Sequence, residues 1–279
     1  MDDLTAAPAE SGSSGAVAAP SVSAERLAEL VGAVRRALAD VIERHGVTED
    51  EWYPALEFLG EVAKSDELIL LSDTMRLSIL VNDLTHRPDP GATAANVLGP
   101  FWRPAPEIGN PGTLFADDEP GERLVVTGVV RGADGAPVAG AALDVWQCNA
   151  SGVYDVQVDE LAGATRWRGV LRTGSDGRYE LRTIVPPPYE VKTDGPVGAL
   201  LARLGRHAYR PAHIHVKATA PGHEPLTTMV FFAGDEWLGN DTIGADRPDL
   251  TVPIERTGAA PAAVTFDVSL RPTTAADAG

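Results

Sequence analysis

One cysteine, three lysines and five tyrosines stand among 279 residues. Each scarcity excludes something. With Cys148 alone, the chain can form no internal disulfide and no thiolate metal cluster, and the expected setting is a reducing cytoplasm. Forty acidic against 23 basic residues leave a formal charge of −17, with the cations dispersed and no basic tract. Nucleic-acid binding needs clustered cations that release counterions from phosphates, so that class is excluded. Apolar pieces such as residues 68–71 fall far short of the roughly 20 residues that cross a bilayer, and a soluble protein with no membrane span is expected. The first 23 residues hold no Lys or Arg and are rich in Ala, Ser, Gly and Pro. They do not follow the basic-then-apolar plan of a signal peptide, and residues 1–22 are expected to form a disordered tail.

At 44% hydrophobic and 23% charged, the composition is that of a globular protein with enough length for one large domain or two smaller ones. Ser23 can cap a helix in which Leu27, Leu30, Val31, Val34, Leu38, Val41 and Ile42 recur at three- and four-residue steps, with His45 at its end and Gly46 just beyond. Thr48 and Glu51 form a capping-box pattern before Trp52, Ala55, Leu56, Leu59 and Val62, and a third apolar segment runs over about 68–84. Residues 23–90 are therefore expected as a helical domain. Beyond Arg87, prolines 88, 90, 100, 104, 106 and 111 interrupt any helix, and from Leu124 the pattern alternates with a period of two. Strands are predicted over 124–130, 142–147, 169–172, 178–184, 214–218, 228–232 and 264–270, with Asp134-Gly135 and Asp176-Gly177 turns. Short strands without intervening helices predict a mainly β protein. A helical N-terminal domain is expected to precede an antiparallel β-sandwich domain over 91–272, with 273–279 as a second disordered tail.

The sharpest local feature is Arg210-Pro211-Ala212-His213-Ile214-His215. Residues two apart on a strand share a face, so His213 and His215 can offer two imidazoles to one metal ion, or can be two satisfied histidines of a sandwich core. The other histidines, 45, 86, 207 and 223, are scattered, and no Gly-x-Ser-x-Gly elbow supports a serine hydrolase. Of the tyrosines, Tyr154 follows Trp146-Gln147-Cys148-Asn149 and Tyr189 follows Pro186-Pro187-Pro188. Each can be a packed amphipathic ring, though the prolines hold Tyr189 in a set position.

Val145-Trp146-Gln147 through Tyr154-Asp155-Val156-Gln157, then Pro187-Pro188-Tyr189 with Thr193-Asp194-Gly195-Pro196-Val197-Gly198, then Tyr209 to His215, together resemble the ordered motifs of the intradiol ring-cleavage dioxygenases. The resemblance extends upstream through Leu98-Gly99-Pro100-Phe101 and covers roughly 25–270. Leu70-Leu71-Ser72-Asp73-Thr74, Ser78-Ile79-Leu80-Val81 and the string at Tyr154 resemble the hydroxyquinol 1,2-dioxygenases more than the catechol 1,2-dioxygenases. The helical segment disfavours the protocatechuate enzymes.

The resemblance implies one Fe(III) per chain, held by Tyr154, Tyr189, His213, His215 and a solvent-derived hydroxide. Phenolates are hard anionic donors suited to ferric iron. It further implies that Tyr189 leaves the metal and accepts a substrate proton, and that Arg210 stabilises charge developing on the ring. The resemblance places Leu80, Asp83, Val97, Leu98, Gly99, Pro100 and Phe101 at the substrate pocket; Asp83 either accepts a hydrogen bond from an extra ring hydroxyl or is a solvated helix residue, and Leu80 can equally be core packing. Met229 stands where many catechol enzymes carry glutamine, which leaves its part in substrate selection open. The implied substrates are a small aromatic diol or triol and O2. The implied partner is a second copy through the helical domain, with phospholipid as an occupant of that region. Two other classes compete: a sandwich that binds a small ligand without chemistry, and a zinc hydrolase on His213 and His215, which has no evident third ligand.

Overall fold

The computed structural model describes residues 22–87, 89–158, 161 and 164–273, so nearly all of both expected tails lies outside the described residues. The chain divides into two compact units, one ending at Glu57 and the other beginning at Phe58. In the first, α1 (Ala24–His45) is capped as its sequence dictates: Ser23 Oγ accepts from the Arg26 N–H at 3.2 Å, and Gly46 closes the helix with φ at 62°. Leu27, Leu30, Val31, Val34, Leu38 and Val41 form a stripe that is 41–60% exposed. α2 (Glu49–Lys64) begins with the capping box, Glu51 Oε2 accepting from the Thr48 N–H at 3.0 Å.

Within the second unit, helical residues share a core with the β part. Val62 at the end of α2 and Leu71 bury themselves with Val197, and Arg206 Nη1 donates to the Thr74 carbonyl at 2.8 Å, which binds residues 58–85 to the β unit. The third apolar segment is likewise two helices, α3 (Leu68–Thr74) and α4 (Leu77–Thr85). Arg76 breaks it with φ at 60°, a conformation costing about 1–2 kcal/mol for an L-residue. The turn lets its side chain reach the Asp241 carbonyl at 3.4 Å and lie against Gly244. Tertiary contact overrides helical period here.

The β unit holds two five-stranded sheets and a short ribbon. One sheet runs β1 (Gly112–Thr113), β5 (Arg178–Ile184), β2 (Arg123–Gly132), β11 (Ala262–Thr265), with β12 (Val268–Leu270) also on β2. The other runs β10 (Thr251–Val252), β9 (Leu226–Phe232), β8 (His213–Thr219), β3 (Ala142–Trp146), β4 (Arg168–Arg172). The central pairs are antiparallel as expected, but β1, β10, β11 and β12 add parallel pairs, so the sheets are mixed. The predicted strand 264–270 is split because the Phe266 carbonyl sits against Gly128, where a Cβ would lie 2.0 Å away, and Asp267 Oδ1 takes the Val129 N–H at 2.9 Å. Leu124, Val126, Leu143, Leu171, Leu181, Ile214, Val230 and Phe231 fill the core, each contributing about 1.5–3 kcal/mol by leaving water. One helix, α5 (Pro196–Arg203), departs from the all-strand expectation. The ribbon is β6 (Tyr189–Glu190) against β7 (Tyr209–Arg210).

Candidate metal centre

His213 and His215 leave β8 on one face, in the middle of a sheet where β9 and β3 cover both edges, and both are 1% exposed. Tyr189 is brought beside them because the ribbon pairs it with Arg210. Tyr154 comes from the turn after β3, which it fixes by donating its N–H to Gln157 Oε1 at 2.9 Å while its carbonyl accepts from the Gln157 N–H at 3.0 Å. Next to it, the buried Asp155 carboxylate receives both Arg168, through Nε at 2.8 Å and through Nη2, and Arg103 at 2.6 Å. Arg168 Nη2 also donates to the Phe101 carbonyl at 2.9 Å, so one cluster fixes both the Tyr154 turn and the segment above it.

The four rings converge. Centroids are 5.5 Å apart for Tyr154 and Tyr189, 5.5 Å for Tyr189 and His213, 4.9 Å for the two histidines and 6.2 Å for Tyr154 and His215. Tyr154 Oη lies 3.4 Å from His213 Nε2, and Arg210 Nη1 lies 3.1 Å from that nitrogen and 3.4 Å from Tyr189 Oη. His213 Nδ1 is 2.7 Å from the Pro211 carbonyl, which assigns the proton to Nδ1 and leaves the Nε2 lone pair facing the phenols. His215 stacks flat on Trp146, 4.6 Å away at 9°, and its buried Nδ1 has no hydrogen-bond partner.

Electrostatics complete the argument. Burial, then Arg210 and the neighbouring imidazole, pushes His213 well below the usual histidine range, and burial with Arg210 does the same to His215. Burial, then Tyr189, drives the Tyr154 phenol well above its ordinary value; burial also raises Tyr189, against the pull of Arg210. Burial disfavours the Arg210 cation, but Asp241 and the two tyrosines outweigh it and its pKa goes up. The protein alone therefore holds two neutral imidazoles and two protonated phenols, N and O groups whose phenol protons only a strongly charged cation would displace. Among the described residues no group of three or more His, Cys, Asp or Glu side chains is arranged to hold a metal. The fit is to a hard, highly charged ion bound through phenolate oxygen.

The segment at 97–101 divides. Phe101 stacks on Tyr154 at 4.5 Å, Leu98 packs on the Trp146–Tyr154–Tyr189 cluster, and Gly99 lies so close that a Cβ would meet His215 Cε1 at 3.3 Å. Val97 packs on the main core instead, and Pro100 is exposed. Met229 is fully buried opposite His215, its Sδ 3.5 Å from Arg210 Nη2. Leu80 and Asp83 do not join this group: Leu80 is 54% exposed, and the half-exposed Asp83 is paired with Arg247 at 2.6 Å. The reversal at Arg76 re-aims α4, and the acid of this helical stretch within electrostatic reach of Arg210 is Asp73, buried on α3. Burial raises its carboxyl pKa, opposed by Ser78 and Arg210. Asp73 lies in the Leu70–Thr74 string that carries part of the resemblance, whereas Asp241 has no local pattern and is marked only by its pairing with Arg210.

The N-terminal segment matches the family model described as "Catechol dioxygenase N terminus" over 24–93, and the model "Dioxygenase" matches 97–272. The chain is 40% identical over 237 residues to a hydroxyquinol 1,2-dioxygenase of Rhizobium sp. (strain MTP-10005), covering 83% of this chain and 80% of that one. It is 40% identical over 254 residues to a 6-chlorohydroxyquinol 1,2-dioxygenase of Cupriavidus pinatubonensis, covering 89% and 91%. The crystal structure of hydroxyquinol 1,2-dioxygenase from Pseudomonas putida DLL-E4 superposes with a TM-score of 0.83 at 32% identity over 89% of this chain and 93% of that one. With paired tyrosines and histidines converging in a mixed-sheet domain behind an N-terminal helical segment, the chain belongs to the intradiol ring-cleavage dioxygenases, enzymes that open a catechol-type ring.

Proposed function

We propose that the substrate is hydroxyquinol, benzene-1,2,4-triol, and that Tyr154, Tyr189, His213 and His215 hold one Fe(III). Ferric iron held by these residues would supply Lewis acidity that draws electron density from a dihydroxylated ring and prepares it for dioxygen. Both atoms of O2 enter the product and nothing leaves, so the triol becomes 3-hydroxy-cis,cis-muconate in its acid form, a tautomer of maleylacetate.

The chain's own residues do the rest. The Tyr189 oxygen, a phenolate once the ion is held there and lying beside Arg210 Nη1, takes a proton from the arriving substrate and becomes a phenol. Arg210, buried and permanently charged, stabilises negative charge on the ring. Phe101, Leu98 and Trp146 wall the site with apolar surface and exclude water. Met229 leaves Arg210 without a competing anion on that side.

The observation that carries the triol is Asp73, a buried carboxyl within electrostatic reach of Arg210, which suits an extra hydroxyl donor better than the ion-paired Asp83. The 40%-identical hydroxyquinol and chlorohydroxyquinol enzymes support the same substrate. Oxygen uptake by iron-loaded protein is expected to be fastest with hydroxyquinol; a strong preference for catechol or a chlorocatechol would overturn that choice. A preparation that stays colourless after ferric reconstitution would refute the iron site, because tyrosinate-to-iron charge transfer absorbs in the visible. A cytoplasmic homodimer through α1, with phospholipid against the same apolar stripe, completes the proposal; the six exposed side chains of that stripe support it.

A further inference from the structure

The Arg210 guanidinium is held by an acid that no step above uses. Asp241 has a fully buried side chain, and its carboxylate receives Arg210 Nε on Oδ1 at 3.3 Å and Nη2 on Oδ2 at 3.2 Å. The backbone N–H groups of Ile243 and Ala245 donate to the same two oxygens, each at 3.2 Å, so the carboxylate is fixed from its own loop as well as by the cation. That loop is tied to the ribbon: the Thr242 N–H donates to the Tyr209 carbonyl at 3.1 Å, and its hydroxyl to the His207 carbonyl at 3.1 Å. Asn96 Nδ2 secures the other end on the Ala245 carbonyl at 2.8 Å.

With Nε and one edge of Nη2 taken by Asp241, Nη1 is the nitrogen left facing His213 Nε2 and Tyr189 Oη. Two-point pairing fixes the plane of a guanidinium in a way that a single contact cannot. It also balances a buried charge. An unpaired cation beside a metal ion would oppose it strongly where water is excluded, whereas a fixed carboxylate on the far side of the guanidinium offsets that repulsion.

We infer that Asp241 is a positioning residue for Arg210: it selects which N–H enters the site and offsets the guanidinium charge that would weaken metal binding. The inference rests on the roles proposed above for Arg210 and the four-residue metal site. Asp241→Asn keeps the side-chain shape while removing the charge and one acceptor. In folded, iron-loaded protein, kcat/KM is expected to fall about 10- to 100-fold, and loss of iron to a chelator to accelerate by a similar factor. Arg210→Gln should by itself impair ring cleavage and slow iron loss. The double variant Arg210→Gln/Asp241→Asn should cleave no more slowly than Arg210→Gln alone and should recover the iron retention that Asp241→Asn loses.

Wild-type turnover and iron retention in folded Asp241→Asn would overturn the inference. So would losses in turnover that multiply in the double variant while Arg210→Gln is impaired; the role of Arg210 would then stand and that of Asp241 fall. Wild-type cleavage by Arg210→Gln would remove both roles. Should Asp241→Asn fail to fold, Asp241→Glu replaces it. That variant keeps the charge but displaces it by a methylene, so normal iron retention with reduced turnover supports positioning, and normal turnover overturns it.

Discussion

Tyr154→Phe deletes one oxygen from a ring that Phe101 covers at 4.5 Å, so the packing survives and the donor does not. The variant is expected to fold, to lose much of its visible absorption after ferric loading, and to lose ring-cleaving activity; absorption spectra and oxygen uptake check both, and full retention would remove Tyr154 from the ligand set. Cys148 shows the opposite case, a reactive group kept inert. Burial pushes its thiol up from 9.0 to about 12, so in folded protein at pH 8 only about one thiol in 10⁴ is ionised. Alkylating reagents are expected to label it only after unfolding, and rapid labelling of native protein would contradict its burial. The sign of the linkage follows: the stability associated with this thiol is complete below about pH 9 and is lost as pH rises from about 9 to about 12, because the unfolded thiol ionises first. Legibility at this scale tracks sequence distance. The two histidines announce themselves by a two-residue period, and the tyrosines through the motifs around them. Asp241 lies 31 residues from Arg210, and neither residue's neighbours hint at the pairing.

Among the elements, strands were readable wherever one face meets the core, because burial enforces alternation along β2 and β5 and along the second half of β8. The parallel edge pairings were not, since β1 and β10 are two residues long and have no period to read. α5 hid behind its prolines and glycines: Pro196 occupies its first turn, and the buried Glu67 carboxylate takes the Val197 N–H at 3.0 Å and Lys192 Nζ at 2.8 Å. A carboxylate at a helix start favours both its free N–H groups and its dipole. Glu67→Ala is therefore expected to destabilise the protein by about 1–3 kcal/mol in urea unfolding, with an unchanged melt ruling out this anchor. Asp155→Asn removes the charge that Arg168 and Arg103 share beneath Tyr154. A loss of about 3–5 kcal/mol is expected from the stranded buried cations, along with weaker iron retention in the protein that folds.

For the molecule as a whole, no helix among the described residues is long and apolar enough to cross a membrane, which agrees with the short apolar runs of the sequence. The exposed stripe on α1 is the feature that the chain by itself leaves unexplained. If a second copy covers it, Leu30→Glu with Val34→Glu should yield monomers in sedimentation while leaving the site's spectrum intact; a wild-type sedimentation coefficient would place the interface elsewhere. The division of contacts at Glu57 has no local signal in the sequence, because the burial of Val62 and Leu71 with Val197 joins residues far apart along the chain. The donors themselves come from three separate stretches: the turn after β3, the ribbon strand β6, and the central strand β8. Asp241, which pairs with the Arg210 guanidinium beside them, arrives later still. If these residues hold the proposed iron, a ribosome must finish nearly the whole β unit before the four donors can meet, and loading would follow folding during maturation. Colour in a cell lysate would report intact, correctly closed chains and remain blind to truncated ones.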